Sequence, residues 1–184
     1  TFTPENNATP YEALRAMTLQ GLGARNLSEN SAAIERVEYE LNIIETKGYT
    51  SYILVVADLL RFAHESGILT TTRGSAAGSM VGFLSGITNV DPIALQLPFE
   101  RFLNPRRPSP PDVDMDFADN RRDEVIEYAR KKYGEARVAQ VGTFGTMLAR
   151  GVVRDVARAL GKPYAVGDRL ARLIPMGSQG FPMT

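Results

Sequence analysis

Cysteine is absent and histidine occurs once, at His64. The first absence excludes disulfides and thiolate metal sites. The second excludes His-rich zinc centres and leaves Ser-His nucleophilic chemistry without support. His64 follows Phe62-Ala63 in a helical pattern and reads as structural. Any metal held here must be a hard, oxygen-liganded cation, because carboxylates are the only plentiful ligands left. Missing too is any apolar run near the roughly 20 residues that cross a bilayer, and the opening Thr1-Phe2-Thr3-Pro4-Glu5 is neither a signal peptide nor an initiating methionine. These absences point to a soluble, cytoplasmic chain without membrane contact, cut from something longer. A 43% hydrophobic and 23% charged composition over 184 residues suffices for one or two domains with a real core.

Net charge is zero, but it divides unevenly. The first 100 residues carry 6 Lys/Arg against 11 Asp/Glu, and the remainder 15 against 10. The second half is the one that could face a polyanion.

Thr9-Pro10-Tyr11-Glu12 combines a threonine cap, a proline at the first helical position and a glutamate three residues after the cap, so a helix of about three turns should follow. Ile34, Val37, Leu41 and Ile44 predict a second helix ending at Gly48. A third runs from about Ser51 to Ser66, apolar almost all round between Tyr52 and Leu60 and stopped by Gly67. Ile68 to Thr72 reads as a short strand, and Arg73-Gly74-Ser75-Ala76-Ala77-Gly78-Ser79 as the opening of a helical segment to about Gly86. Pro105, Pro108, Pro110 and Pro111 prevent regular structure before a strand over Asp112 to Phe117. Asn120 is placed to cap a helix from Arg121 to Tyr133, with Val125, Ile126, Ala129 and Tyr133 inward. Arg137 to Phe144 is expected to be a strand and Thr146 to Leu160 a helix. Helices and strands mix without a βαβ repeat, so the expected class is α+β.

Three constellations carry chemistry. Asp112-Val113-Asp114-Met115-Asp116-Phe117 alternates with strand period, setting three carboxylates on one face, neighbours starting roughly 6.5 Å apart, and three apolar anchors on the other. Such a face can converge on one or two divalent ions; without a cation the carboxylates repel. An exposed acidic edge strand is the alternative. An EF-hand loop, the other alternative, fails because its sixth position is Phe117 rather than glycine and prolines block the entering helix. Arg73-Gly74-Ser75, at a strand-to-helix junction, offers backbone N–H groups and a helix dipole to an anion, although small residues packed between helices explain it as well. It is not a Walker loop, having the wrong spacing and no lysine before Ser79. Arg150, Arg154 and Arg158 lie four apart on one stripe with only Asp155 nearby, opposite Leu148, Val152, Val156 and Leu160. The stripe suits either solvent or a DNA backbone.

Taken in order, Arg73 to Ser79, Phe99-Glu100-Arg101-Phe102-Leu103-Asn104-Pro105, Pro111 to Phe117 and Thr143-Phe144-Gly145-Thr146-Met147 resemble the bacterial family C DNA polymerases. Glu38-Tyr39-Glu40-Leu41, Gly48 to Leu54 and Val153-Arg154-Asp155-Val156 fit the same pattern. The resemblance implies a nucleotidyltransferase-like palm, a small mixed sheet packed by helices, over residues 1–143, and the helical start of a thumb over 144–184. It places Asp112 and Asp114 as catalytic metal ligands with Asp116 in support. Gly74 and Ser75 fall at the incoming triphosphate, with Arg73 and Arg101 as basic residues near it. It also gives the Arg150, Arg154, Arg158 stripe a primer-template duplex to grip. Two Mg²⁺ ions, deoxynucleoside triphosphates, a sliding clamp and other replisome subunits are the implied cofactors and partners. Thr72 stands where the family usually has glycine, and the family's third catalytic aspartate comes from a strand beyond Thr184. The 184 residues alone are therefore expected to be inactive. Beyond Gly161 the chain is expected to be mobile or to dock on another molecule through Leu170, Leu173 and Ile174.

Overall fold

The computed structural model describes residues 8–175, so the opening Thr1 to Glu5 and the last nine residues of the expected thumb start lie outside the described residues. The chain divides into two compact units, Thr1–Ala139 and Gln140–Thr184.

Local sequence signals start and stop the helices of the first unit. Helix α1 (Pro10–Ala24) opens on the expected capping box: the Glu12 amide donates to Thr9 Oγ1 at 3.2 Å and the Thr9 amide to Glu12 Oε2 at 2.8 Å. In α2 (Ser31–Thr46) the Asn30 side chain accepts from the Ala33 amide at 3.1 Å, and the chain turns away at Gly48. Helix α3 (Thr50–Glu65) follows. Leu14 of α1, Val37, Leu41 and Ile44 of α2, and Ile53, Leu54 and Leu60 of α3 are buried in one cluster. Each such side chain contributes about 1.5–3 kcal/mol on removal from water, which outweighs the weak intrinsic stability of short helices.

On this helical base sits a two-stranded antiparallel ribbon, β1 (Thr70–Arg73) with β2 (Asp114–Phe117), in the register Thr70–Phe117, Thr71–Asp116, Thr72–Met115 and Arg73–Asp114. An isolated ribbon is marginal in water, and this one is backed by Met115 and Phe117, which pack against the core. Between the strands lie a 3₁₀ turn (Gly74–Gly78) and the short helix α4 (Met80–Leu84). His64 shares a 2.8 Å hydrogen bond with Thr70 Oγ1, in keeping with a structural role.

Helix α5 (Arg122–Tyr133) docks on α3 through a buried carboxylate beside the apolar contact of Val125 with Ala63. Asp58, 4% exposed, interrupts the run expected to be apolar almost all round. It accepts from Lys132 Nζ at 2.6 Å, Arg61 at 2.7 Å, Tyr133 OH at 2.7 Å and Tyr128 OH at 3.0 Å. Burial pushes the Asp58 carboxyl up, but those four donors outweigh it and hold the pKa below the ordinary aspartate value. Phe62 and Tyr128 stack beside it, centroids 4.0 Å apart. Of the four residues expected inward on α5, Val125 is buried and the other three only half-buried. Asn120 does not cap this helix: a 3₁₀ turn over Asp119–Arg121 precedes it, and Arg121 instead binds Glu124 at 2.7 Å and the Ser66 carbonyl at 2.9 Å.

The strand expected over 137–144 does not form. A 3₁₀ turn closes at Arg137, residues 138–148 carry no helix or strand, and Val141 and Phe144 are fully exposed. Among the described residues no strand edge pairs with that segment, and without a partner an extended run gains nothing over hydrated backbone.

The second unit is a helical hairpin, α6 (Ala149–Ala159) and α7 (Tyr164–Leu173), the two helices packed on each other. Residues 164–173, expected to find no partner within their own unit, thus fold back on α6. Among the described residues no helix is long and apolar enough to cross a membrane.

Candidate active site

The geometry of the acidic face follows from where β1 stops. Gly74 has φ +83°, a left-handed backbone that favours glycine, and turns the chain out of the ribbon immediately after Arg73. Asp114, opposite Arg73, is therefore the first paired residue of β2. Asp112 and Val113 precede the ladder, so the strand is shorter than the six residues expected. The alternation still holds: Val113 is buried and Met115 and Phe117 face the core, while Asp112 and Asp116 are exposed and Asp114 half-exposed.

Arg73 gathers this face. Its Nε donates to Asp116 Oδ2 at 2.8 Å and a terminal nitrogen reaches Asp114 Oδ2 at 3.5 Å. The Asp116 hydrogen bond, then the charges of Asp114, Asp116 and Asp112, raise the Arg73 pKa further above its usual value. Tyr52 of α3, which lies in the Gly48 to Leu54 stretch but was given no role there, lies in the same field. Burial raises its phenol pKa, the Val113 backbone opposes that, and the Asp112 and Asp114 charges add to it. The donor set is chemically suited to a hard cation. Among the described residues no three carboxylate or imidazole groups stand close enough to hold a metal ion by themselves.

Beside the acids lies a cavity of about 180 Å³, lined by Gly74, Ser75, Ala77, Gly78 and, across from them, Leu97, Pro98 and Arg101. Three of the four residues expected near a triphosphate share it. The fourth, Arg73, turns to the acids next door. A methyl group on Gly74 would stand 3.4 Å from Asp114 Oδ2, so the loop lies next to the acidic face with room for little more than one added carbon between them. On Gly78 it would stand 2.8 Å from the Pro98 carbonyl oxygen, so only glycine lets the two walls approach this closely.

The anion site expected at a helix N-terminus is built differently. The amides of Met80 and Val81, where α4 begins, donate to the Glu40 carboxylate at 2.9 and 3.0 Å, and Ser79 Oγ donates to it at 2.8 Å. A carboxylate of the chain itself fills that position, leaving the Gly74–Gly78 turn and Arg101 to face the cavity. Burial pushes the fully buried Glu40 carboxyl up, while these donors and Arg36, at 2.7 Å, pull against it. One signal could have revealed Glu40: it lies three residues after Val37 and four before Ile44, on the apolar stripe of α2.

The arginine stripe belongs to the second unit. Arg150 donates to the Ile174 carbonyl at 2.6 and 2.8 Å, Arg154 to Asp168 at 2.9 Å, and Arg158 to Asp155. Asp155 is thus not the only acid nearby, because α7 brings up Asp168, which also binds Arg172 at 2.7 Å. With α7 seated on the arginine side, Leu148, Val156 and Leu160 are exposed.

Comparison with known proteins gives a consistent result. Residues 12–184 match the profile of the Bacterial DNA polymerase III alpha NTPase domain. The chain is 46% identical over 175 residues to DNA polymerase III subunit alpha of Bacillus subtilis, a match that covers 95% of the chain and 16% of the relative. It is 49% identical over 146 residues to that of Thermus aquaticus, covering 79% of the chain and 12% of the relative. The Helicobacter pylori protein of the same name is 53% identical over 142 residues, covering 77% of the chain and 12% of the relative. The chain therefore spans about one sixth or less of the length of the curated relatives it matches.

Proposed function

Because the chain belongs to the bacterial DNA polymerase III alpha family, we propose that its first unit is part of a nucleotidyl-transfer site that adds deoxynucleotides to a primer 3′ end. The observation that carries this reading is the β1–β2 register. It sets Asp114 opposite Arg73 and so lays the acidic face alongside the Gly74–Gly78 turn and its cavity. Asp112 and Asp114 are the residues to hold Mg²⁺, with Asp116 in support. Bound there, two such ions would lower the pKa of the primer hydroxyl and offset charge on the triphosphate. Mg²⁺ takes one or two protein carboxylates and completes its shell with substrate phosphates and water, which suits a face that lacks a closed cage.

The other roles belong to the chain's own groups. Gly74 and Ser75 present backbone to the triphosphate, and Arg101 supplies positive charge from the opposite wall. Arg73 balances the carboxylates until phosphate and cation replace it. On this reading residues 1–143 are the nucleotidyltransferase-like part of an α+β palm and 144–184 begin a thumb. The stripe Arg150, Arg154 and Arg158 then lies on primer-template phosphates. The whole protein works in the cytoplasm with a sliding clamp and other replisome subunits, while the 184 residues alone do not extend a primer.

The test is primer extension in Mg²⁺ by the full-length chain carrying these residues, with Asp112→Asn and Asp114→Asn. Both variants should lose extension while keeping the unfolding midpoint and duplex affinity. Near-normal extension by either would remove that residue from the metal site.

A further inference from the structure

Behind the cavity lies a buried device that the acidic face does not explain. The Arg36 side chain, three-quarters buried, donates through Nε to Glu40 at 2.7 Å. One terminal nitrogen of the same guanidinium serves two carbonyls, Gly78 at 3.0 Å and Leu97 at 3.1 Å. Gly78 belongs to one wall of the cavity and Leu97 to the other. Among the described residues no backbone hydrogen bond joins the 74–78 wall to the 97–101 wall, so this guanidinium is the polar tie between them. The same Glu40 receives Ser79 Oγ and the amides of Met80 and Val81, which fixes the chain where it leaves the loop. Tyr39, also on α2, donates to Glu100 at 2.8 Å, next to Arg101.

We propose that Arg36, oriented by Glu40, is a positioning residue that sets the width of the cavity and thereby the fit of the incoming triphosphate. The inference rests on the reading of that cavity as the triphosphate site. It follows from geometry: a planar guanidinium can face a carboxylate with one edge and two carbonyls with another, whereas the single ammonium of lysine cannot span both. A wall displaced by a fraction of an ångström weakens contacts made to the nucleotide, and it leaves those made to the duplex untouched.

Steady-state primer extension by the full-length chain separates these roles. Arg36→Lys keeps a positive charge beside Glu40 and should raise the nucleotide KM roughly tenfold, with kcat within about twofold and the primer-template KM unchanged. Glu40→Gln should move the nucleotide KM in the same direction, and where it does not fold, Arg36→Lys decides alone. Arg101→Ala reports on the cavity itself. A nucleotide KM raised by Arg101→Ala but left at wild type by Arg36→Lys overturns the positioning role and keeps the cavity reading. Wild-type values for both variants overturn the cavity reading and the proposal with it. A lowered unfolding midpoint with unchanged KM values in Arg36→Lys makes the residue structural and also overturns the proposal.

Discussion

Glu40 and Asp58 are the buried acids of the described residues, and each answers burial with four donors. A charged group taken from water is tolerable only when so satisfied, and removing its charge leaves the donors in want of a partner. For Asp58 the consequence depends on pH with a definite sign. Its folded pKa is depressed, so its stabilising contribution is fully present above the unfolded value of about 3.9 and is lost as pH falls through the folded pKa. Asp58→Asn should cost about 1–3 kcal/mol at pH 7, and the gap from the parent chain should shrink as pH falls below about 4. Denaturant unfolding of both chains at pH 7 and pH 3 checks this; a gap of equal size at both values would show that the carboxylate charge does not contribute. Neither acid was legible as a buried hub, because one Asp or Glu on an apolar stripe looks like a break in the pattern until the three donors that each takes from 39 to 75 positions away are seen beside the arginine on its own helix.

At the scale of elements, what was legible is what is local. The Thr9 box and the stops of the second and third helices depend on residues within a turn of one another, and they form at or within a residue or two of the expected bounds, whereas α1 runs about a turn longer than expected and the Asn30 cap was not foreseen. The ribbon was legible in its alternation but not in its ends, since β2 extends only as far as β1 accompanies it and Gly74 decides that from 40 positions away. The 137–144 segment shows the same dependence from the other side, apolar enough for a strand and without an edge to join.

The arginine stripe was correctly placed on one helix, yet its partners on α7 and at Ile174 were not legible. If the stripe lies on DNA in the whole protein, alanine at Arg150, Arg154 and Arg158 together should weaken binding alike for all duplex sequences. The logarithmic salt slope should fall by roughly 0.9 for each phosphate that the variant no longer neutralises. An unchanged slope in the full-length triple variant would leave Arg150 and Arg154 as ties from α6 to α7 and its C-terminal end, and Arg158 as a partner of Asp155 on its own helix.

For the molecule as a whole, the family was accessible from ordered motifs, whereas the state of the acidic face was not. Three carboxylates in the absence of a cation were expected to repel one another, and the structure answers with Arg73, which binds two of them from the facing strand. On the proposed function Arg73 holds a place for metal and phosphate, and Mn²⁺ titration of the ¹⁵N-labelled 184-residue chain puts this to the test. Paramagnetic broadening at substoichiometric Mn²⁺ should concentrate on the amides of Arg73 to Ser75 and Asp112 to Asp116, and it should vanish with Asp114→Asn. Broadening that centres instead on the exposed Glu124 and Glu127 of α5, or that survives Asp114→Asn unchanged, would mean that the acidic face is not where a divalent cation binds.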